Sequence, residues 1–269
     1  MDRISEVIGW DQIGDVRFNR EKGRYGFEDS LDRIRASVDA GVPVLCYGRN
    51  LDMSLIFGYQ IIGEGLIIKD YHNSPSEDFI LPASKIGPML VILKPGQGTP
   101  VPDKIWLEKT LEFAIENYEN GDDGEDGRGK YYLGRAALNL WIEDLETWSE
   151  FEPRKQQEMF QPHWWVFNCL FDARSAGEKY LRLELEKMGS DPYGITQDLQ
   201  VLIELVGKEN KILVSAFKNR NAFLGPWSKK GIEDWSDDVR AREISILKRV
   251  YLVEQAINKK MREIHQKLQ

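Results

Sequence analysis

The sequence predicts an α+β protein: a small, mostly antiparallel sheet domain over residues 1–98, followed by an all-helical domain over residues 104–269. Three observations predict it. Short β-rich runs punctuated by glycine crowd the first hundred residues. A proline-glycine cluster, Pro95-Gly-Gln-Gly-Thr-Pro100 with Pro102, marks a linker. From Ile105 onward, apolar residues recur almost wholly at helical spacing.

Residues 27–40 place Leu31, Ile34, Ala36 and Val38 near helical spacing, and Gly41 followed by Val42-Pro43 stops the helix. Strands are expected at Pro43–Tyr47, Met53–Tyr59, Leu66–Lys69 and Met89–Leu93. Gly63-Glu64-Gly65 reads as a hairpin turn, so neighbouring strands should pair antiparallel, with one helix packed on the sheet. In the second half, helices are expected near 104–119, 131–148, 154–188, 195–206, 209–221 and 236–267. The spans 154–188 and 236–267 are long enough to hold more than one helix each. Asn120–Gly129 is polar and glycine-rich and reads as a solvated loop. The last helix carries Leu247, Val250, Ile257, Met261, Ile264 and Leu268 at 3-4 spacing, interrupted by Glu254. That seam either packs on the body of its own domain or joins a second copy as a homodimer.

Composition narrows the function classes. The chain has 269 residues, 42% hydrophobic and 30% charged, a balance that specifies a folded protein rather than a disordered one. With 36 Lys+Arg against 44 Asp+Glu its net charge is −8, which argues against nucleic-acid or anionic-membrane partners. No run approaches the roughly 18 apolar residues of a spanning helix, and MDRISEVIGWD lacks the layout of a signal peptide. Two cysteines, Cys46 and Cys169, are too few for a disulfide scaffold and fit a reducing cytoplasm.

Most chemical motifs are absent. There is no P-loop, no G-x-G-x-x-G, no G-x-S-x-G and no H-E-x-x-H, and no cofactor is expected. The acidic loop fails as a calcium site, since counting from Asp122 puts Gly124 at the third position and Leu133 at the twelfth. The three histidines, His72, His163 and His265, have no C-x-x-C clamp to join, so no metal is expected. Cys169 follows His163 by six residues, about 9 Å of helical rise, which keeps the side chains apart and makes Cys169 an inert buried thiol. Cys46 lies in the apolar run Val42–Tyr47, sharing a face with Val44, and reads as a core cysteine. The tryptophans, eight in all, crowd the helical half, where all but Trp10 lie and suit either a core or a ligand cleft. Trp164 and Trp165, adjacent on one helix, cannot both point the same way.

Several of these segments, in order, resemble a known arrangement. Residues 30–46, a helix leading into Gly41-Val42-Pro43-Val44, are similar to the entry of papain-like domains of the bacteriocin-processing cysteine peptidase-like group. Met53–Tyr59, ending in Gly58-Tyr59, resembles the strand that follows, Gly65–Asp70 the next strand with its terminal aspartate, and Met89–Leu93 a closing strand. Tyr132–Leu145 resembles the G-x-x-A-x-x-x-W-I-x-x-L helix of butirosin-biosynthesis acyltransferase-like (BtrH-type) proteins, as does Leu170–Leu181 their A-R-x-A-x-x-Y-L helix.

The resemblance implies a papain-like fold whose active members use a Cys nucleophile, a His base and an Asp or Asn that orients the His. This chain departs from that pattern. Leu51-Asp52-Met53 stands where the family histidine opens its strand, and no cysteine precedes Cys46. Asp70 alone matches, with His72 two residues on. The remnants to examine are therefore Asp70, His72 and Cys46, and the residues expected to touch a ligand are Asp52, Tyr59 and Trp141. The expectation is a degenerate papain-like protein, non-catalytic, with a binding or accessory role toward a small molecule or peptide in specialised metabolism or peptide handling. Its rival is a cysteine-dependent acyltransferase or amide hydrolase, either with a rearranged site (Cys46 nucleophile, His72 base, Asp70 support) or with a Cys-bearing segment upstream of Met1.

Overall fold

The computed structural model describes residues 12–17, 27–47, 53–70, 79–83, 89–94, 103–125, 130–191, 193–218 and 231–269. The chain divides into two compact units, Met1–Pro102 and Asp103–Gln269. The expected linker, residues 95–102, lies outside the described residues.

The first unit is α+β. Helix α1 spans Phe27–Asp39, and the strands are β1 (Gln12–Arg17), β2 (Val44–Tyr47), β3 (Met53–Tyr59), β4 (Gly65–Asp70), β5 (Phe79–Pro82) and β6 (Met89–Lys94). They form one sheet in the order β1-β6-β2-β3-β4-β5, with every pairing antiparallel. Four consecutive strands make a meander, and β6 returns beside β2 to leave β1 at the edge. Alternation sets the faces. Val44, Cys46, Ile56, Leu66 and Ile68 are buried with Leu31 and Ile34 of α1, whereas Leu55 and Phe57 are partly exposed. The turn at residues 61–64 joins β3 to β4 as expected, with Gln60 N–H donating to the Gly65 carbonyl.

Gly41 ends α1 as predicted, and the mechanism is visible. Its φ is +77°, its N–H donates to the Val38 carbonyl, and the Val42 N–H donates to the Ser37 carbonyl, the pattern of a Schellman cap. The Ser37 hydroxyl donates to the Val42 carbonyl at 2.9 Å. No atom stands within 4 Å of a Cβ built at Gly41. The expected penalty for Gly41→Ala is therefore conformational alone, about 1 kcal/mol in a urea titration of the full chain.

The second unit is helical: α2 (Asp103–Asn120), α3 (Gly134–Glu146), α4 (Pro153–Met188), α5 (Thr196–Lys218) and α6 (Asp237–Leu268). Two expectations need correction, and one left open is resolved. The polar stretch after α2 is a two-stranded ribbon, β7 (Asp122–Glu125) paired with β8 (Lys130–Tyr132). The spans 154–188 and 236–267 are each one helix, α4 running through Pro162 because buried Phe160, His163 and Phe167 anchor both sides of it. The expected helices 195–206 and 209–221 are one helix, α5. Gly207 costs it about 1 kcal/mol, which packing of Leu202, Ile203 and Val206 before it and Ile212 and Leu213 after it outweighs.

Caps hold the helix starts. Asp191 accepts from the Ile195 and Thr196 amides ahead of α5, and Ser236 accepts from the Val239 amide to open α6. The seam of α6 is used inside its own unit: Leu247, Val250, Ile257, Ile264 and Leu268 are all buried in the helical core. No helix among the described residues is long and apolar enough to cross a membrane.

Candidate functional site

Cys46 sits on β2, opposite Ser54 of β3 on one side and Leu90 of β6 on the other. Ser54 is in turn the register partner of Asp70 at the end of β4. The sheet therefore brings Cys46, Ser54 and Asp70 into one cross-strand row. Cys46 lies on the face of the sheet covered by α1, packed with Leu31 and Ile34. Cys46 is fully buried, and burial pushes its thiol up to about 12. Ser54 is also buried, and its hydroxyl has no hydrogen-bond partner among the described residues. His72 and Asp52 lie outside the described residues.

Tyr59, expected to touch ligand, is otherwise engaged. Its hydroxyl donates to Asp39 at 2.8 Å and the Arg35 guanidinium lies 5.7 Å from its ring, so it ties the end of β3 to the end of α1. The hydrogen bond to Asp39 and burial raise its pKa. Trp141 belongs to the second unit and is committed there.

The helical unit encloses two polar centres. In the first, the Trp141 indole donates to His163 Nδ1 at 2.7 Å, which leaves the imidazole proton on Nε2, 3.2 Å from Glu243 Oε2. The Trp235 indole donates to the same carboxylate at 2.6 Å. Trp148, Phe160 and His163 pack around the Trp235 ring with centroids 4.5–5.3 Å away. This is a closed aromatic box around a carboxylate, with Glu243 fully buried. Several expected tryptophans thus line a core. Trp165 is the exposed member of its adjacent pair.

In the second centre, Arg174 of α4 reaches two buried carboxylates, Glu254 of α6 and Glu209 of α5, the latter at 3.2 Å. Asn210 donates to the Arg174 carbonyl and to Glu178, fixing α4 against α5. Burial and the neighbouring Glu254 push Glu209 up to about 9 against the pull of Arg174. Tyr118 is driven up to about 12, by burial and then by Glu254. Glu209 therefore keeps its proton at neutral pH. A group whose folded pKa is raised contributes stability below its unfolded value and loses it as pH climbs to the folded one. The helical unit is expected to lose stability between about pH 4.5 and about pH 9. Glu209→Gln, which keeps the neutral shape, should match the parent near pH 5 and exceed its melting temperature at pH 9, in thermal melts followed by circular dichroism.

Sequence reasoning missed Glu209, Glu243 and Glu254 as partners, although each interrupts an apolar stripe of its helix. Cys169 requires a correction: it is exposed, not buried, because position 169 falls on the outer face of α4 while Phe167 takes the core. Among the described residues no group of three or more His, Cys, Asp or Glu side chains could hold a metal ion. Comparison with family models, with curated proteins and with solved structures found no match to this chain.

Proposed function

We propose that the first unit is a papain-like domain that has lost its reactive couple, and that the protein serves a binding or accessory role toward a small molecule or peptide, in specialised metabolism or peptide handling. One observation carries this reading: Cys46 is sealed in the core with its thiol raised to about 12. At neutral pH such a thiol is ionised roughly once in 10⁵ molecules, and the thiolate is the nucleophile. A cytoplasmic setting accords with a thiol kept reduced in the core. A homodimer joined through α6 would need a face other than the buried seam.

Alkylation tests this directly. In a Cys169→Ser background, Cys46 should react with iodoacetamide at pH 7 on the order of 10³-fold more slowly than an exposed thiol, until urea opens the unit. The full chain should release no thiol from thioester substrates above background. Turnover that disappears in Cys46→Ala would establish the acyltransferase or hydrolase alternative instead.

A further inference from the structure

Several surface cations of the helical unit are answered by carboxylates: Lys187 by Glu184, Lys248 by Glu146, Lys267 by Asp198, Arg262 by Glu119. Others are not, and among these Lys208, Lys211 and Arg249 come together at one cleft. All three are exposed, and none forms an ion pair with a described residue. Lys211 acts on Glu178 only from a distance, lowering its carboxyl slightly in concert with Asn210 and Arg182.

These three cations line one cleft of about 480 Å³ with Ile212, Ser215, Leu252 and Val253, and no carboxylate is among its walls. The spacing explains the convergence. Positions 208, 211, 212 and 215 of α5 fall on one helical face, as do 249, 252 and 253 of α6. Ile212 and Val253 form a buried floor, and Leu252 stands 65% exposed at the rim. The neighbouring groove across α5 is larger, about 830 Å³, but Glu178 and Glu204 offset its cations. In a chain of net charge −8, three cations lining one cleft whose walls carry no carboxylate make a local positive site that favours an anion.

We propose that this cleft binds a small amphiphilic anion, with its charged head among Lys208, Lys211 and Arg249 and its alkyl chain over Leu252 and the Ile212–Val253 floor. The volume lies within the range of small-molecule sites, roughly 300–1,000 Å³, and the mixture of apolar floor and a few convergent polar groups is what such sites use. A polyanion or membrane surface would meet the acidic remainder of the chain and be repelled. The proposal is independent of the papain-like reading of the first unit.

Titration calorimetry of the full chain with octyl phosphate, kept below its micelle concentration, tests it. Octyl phosphate should bind at least tenfold more tightly than inorganic phosphate or octanol, and added salt should weaken it. The triple substitution Lys208→Gln, Lys211→Gln and Arg249→Gln should reduce affinity at least tenfold with unchanged helical circular dichroism. Leu252→Asn should weaken octyl phosphate binding while leaving inorganic phosphate untouched. No binding of octyl phosphate, or binding that the triple variant retains, overturns the proposal. So does co-sedimentation with phosphatidylglycerol vesicles in a protein that ignores monomeric octyl phosphate.

Discussion

Replacing Arg174 by leucine should destabilise the helical unit by about 3 kcal/mol at pH 7, the effect of leaving one buried carboxylate without its counter-charge. The guanidinium is the only cation that reaches Glu254 or Glu209 among the described residues, and both acids are almost completely buried. Leucine supplies apolar area but no charge, so the buried carboxylate pair is left without its cation. The loss should accordingly shrink as pH falls, because protonation removes the uncompensated negative charge. Urea titrations at pH 5 and pH 8, followed by helical circular dichroism, measure this. The double variant Arg174→Leu with Glu254→Leu should recover most of the loss at pH 8, because an apolar pair replaces an uncompensated charge. A loss independent of pH, or no recovery in the double variant, would mean that the side chain acts through packing alone.

Gly134→Ala should cost about 3 kcal/mol or more and lower the melting temperature of the helical unit by roughly 10 °C. Gly134 opens α3 with φ +49°, where the chain turns back over the end of α2. A Cβ there would stand 2.3 Å from Tyr118 Cα, 2.5 Å from the Asn117 carbonyl oxygen and 2.8 Å from the Tyr118 carbonyl oxygen. These are backbone atoms of α2, which cannot rotate aside as a side chain would. The Leu133 amide donates to the Gly121 carbonyl at 3.0 Å and holds the two helices at this approach. Gly189→Ala is the control. Its φ is +53°, and nothing lies within 4 Å of the added methyl, so it should lose only the conformational share, about 1 kcal/mol.

Much of the architecture was legible because it rests on periodicity. Leu31 and Ile34 announce the buried face of α1, Gly41 its end, and Val44 with Cys46 the inward positions of β2. Strands β1 and β5 were not anticipated. Gln12–Arg17 contains Gly14 and Asp15 and shows no apolar alternation, and Phe79–Pro82 is only four residues long. Both depend on pairing with β6 and β4, which local preference does not encode. Gly207 suggested a break in α5 that long-range packing on either side closes.

The candidate site was legible in part. The burial of Cys46 follows from its apolar neighbours, and the structure adds the row through Ser54 to Asp70, which depends on strand register. The polar centres of the helical unit left as their trace only glutamates that interrupt apolar stripes. Their partners are 8 to 80 residues away in sequence, mostly on other helices whose meeting no local pattern specifies.

The two polar centres share a geometry with a consequence for how the bundle finds its arrangement. His163 and Arg174 are separated by the same number of residues along α4 as Glu243 and Glu254 along α6, three helical turns in each case. Two rungs of equal spacing admit a single alignment of the long helices. Sliding one past the other by a turn, which an apolar seam of leucines and valines would tolerate, would strand an imidazole, a guanidinium and two carboxylates together. The acids buried in this bundle thus exclude neighbouring alignments, a selectivity that greasy contacts alone leave undecided.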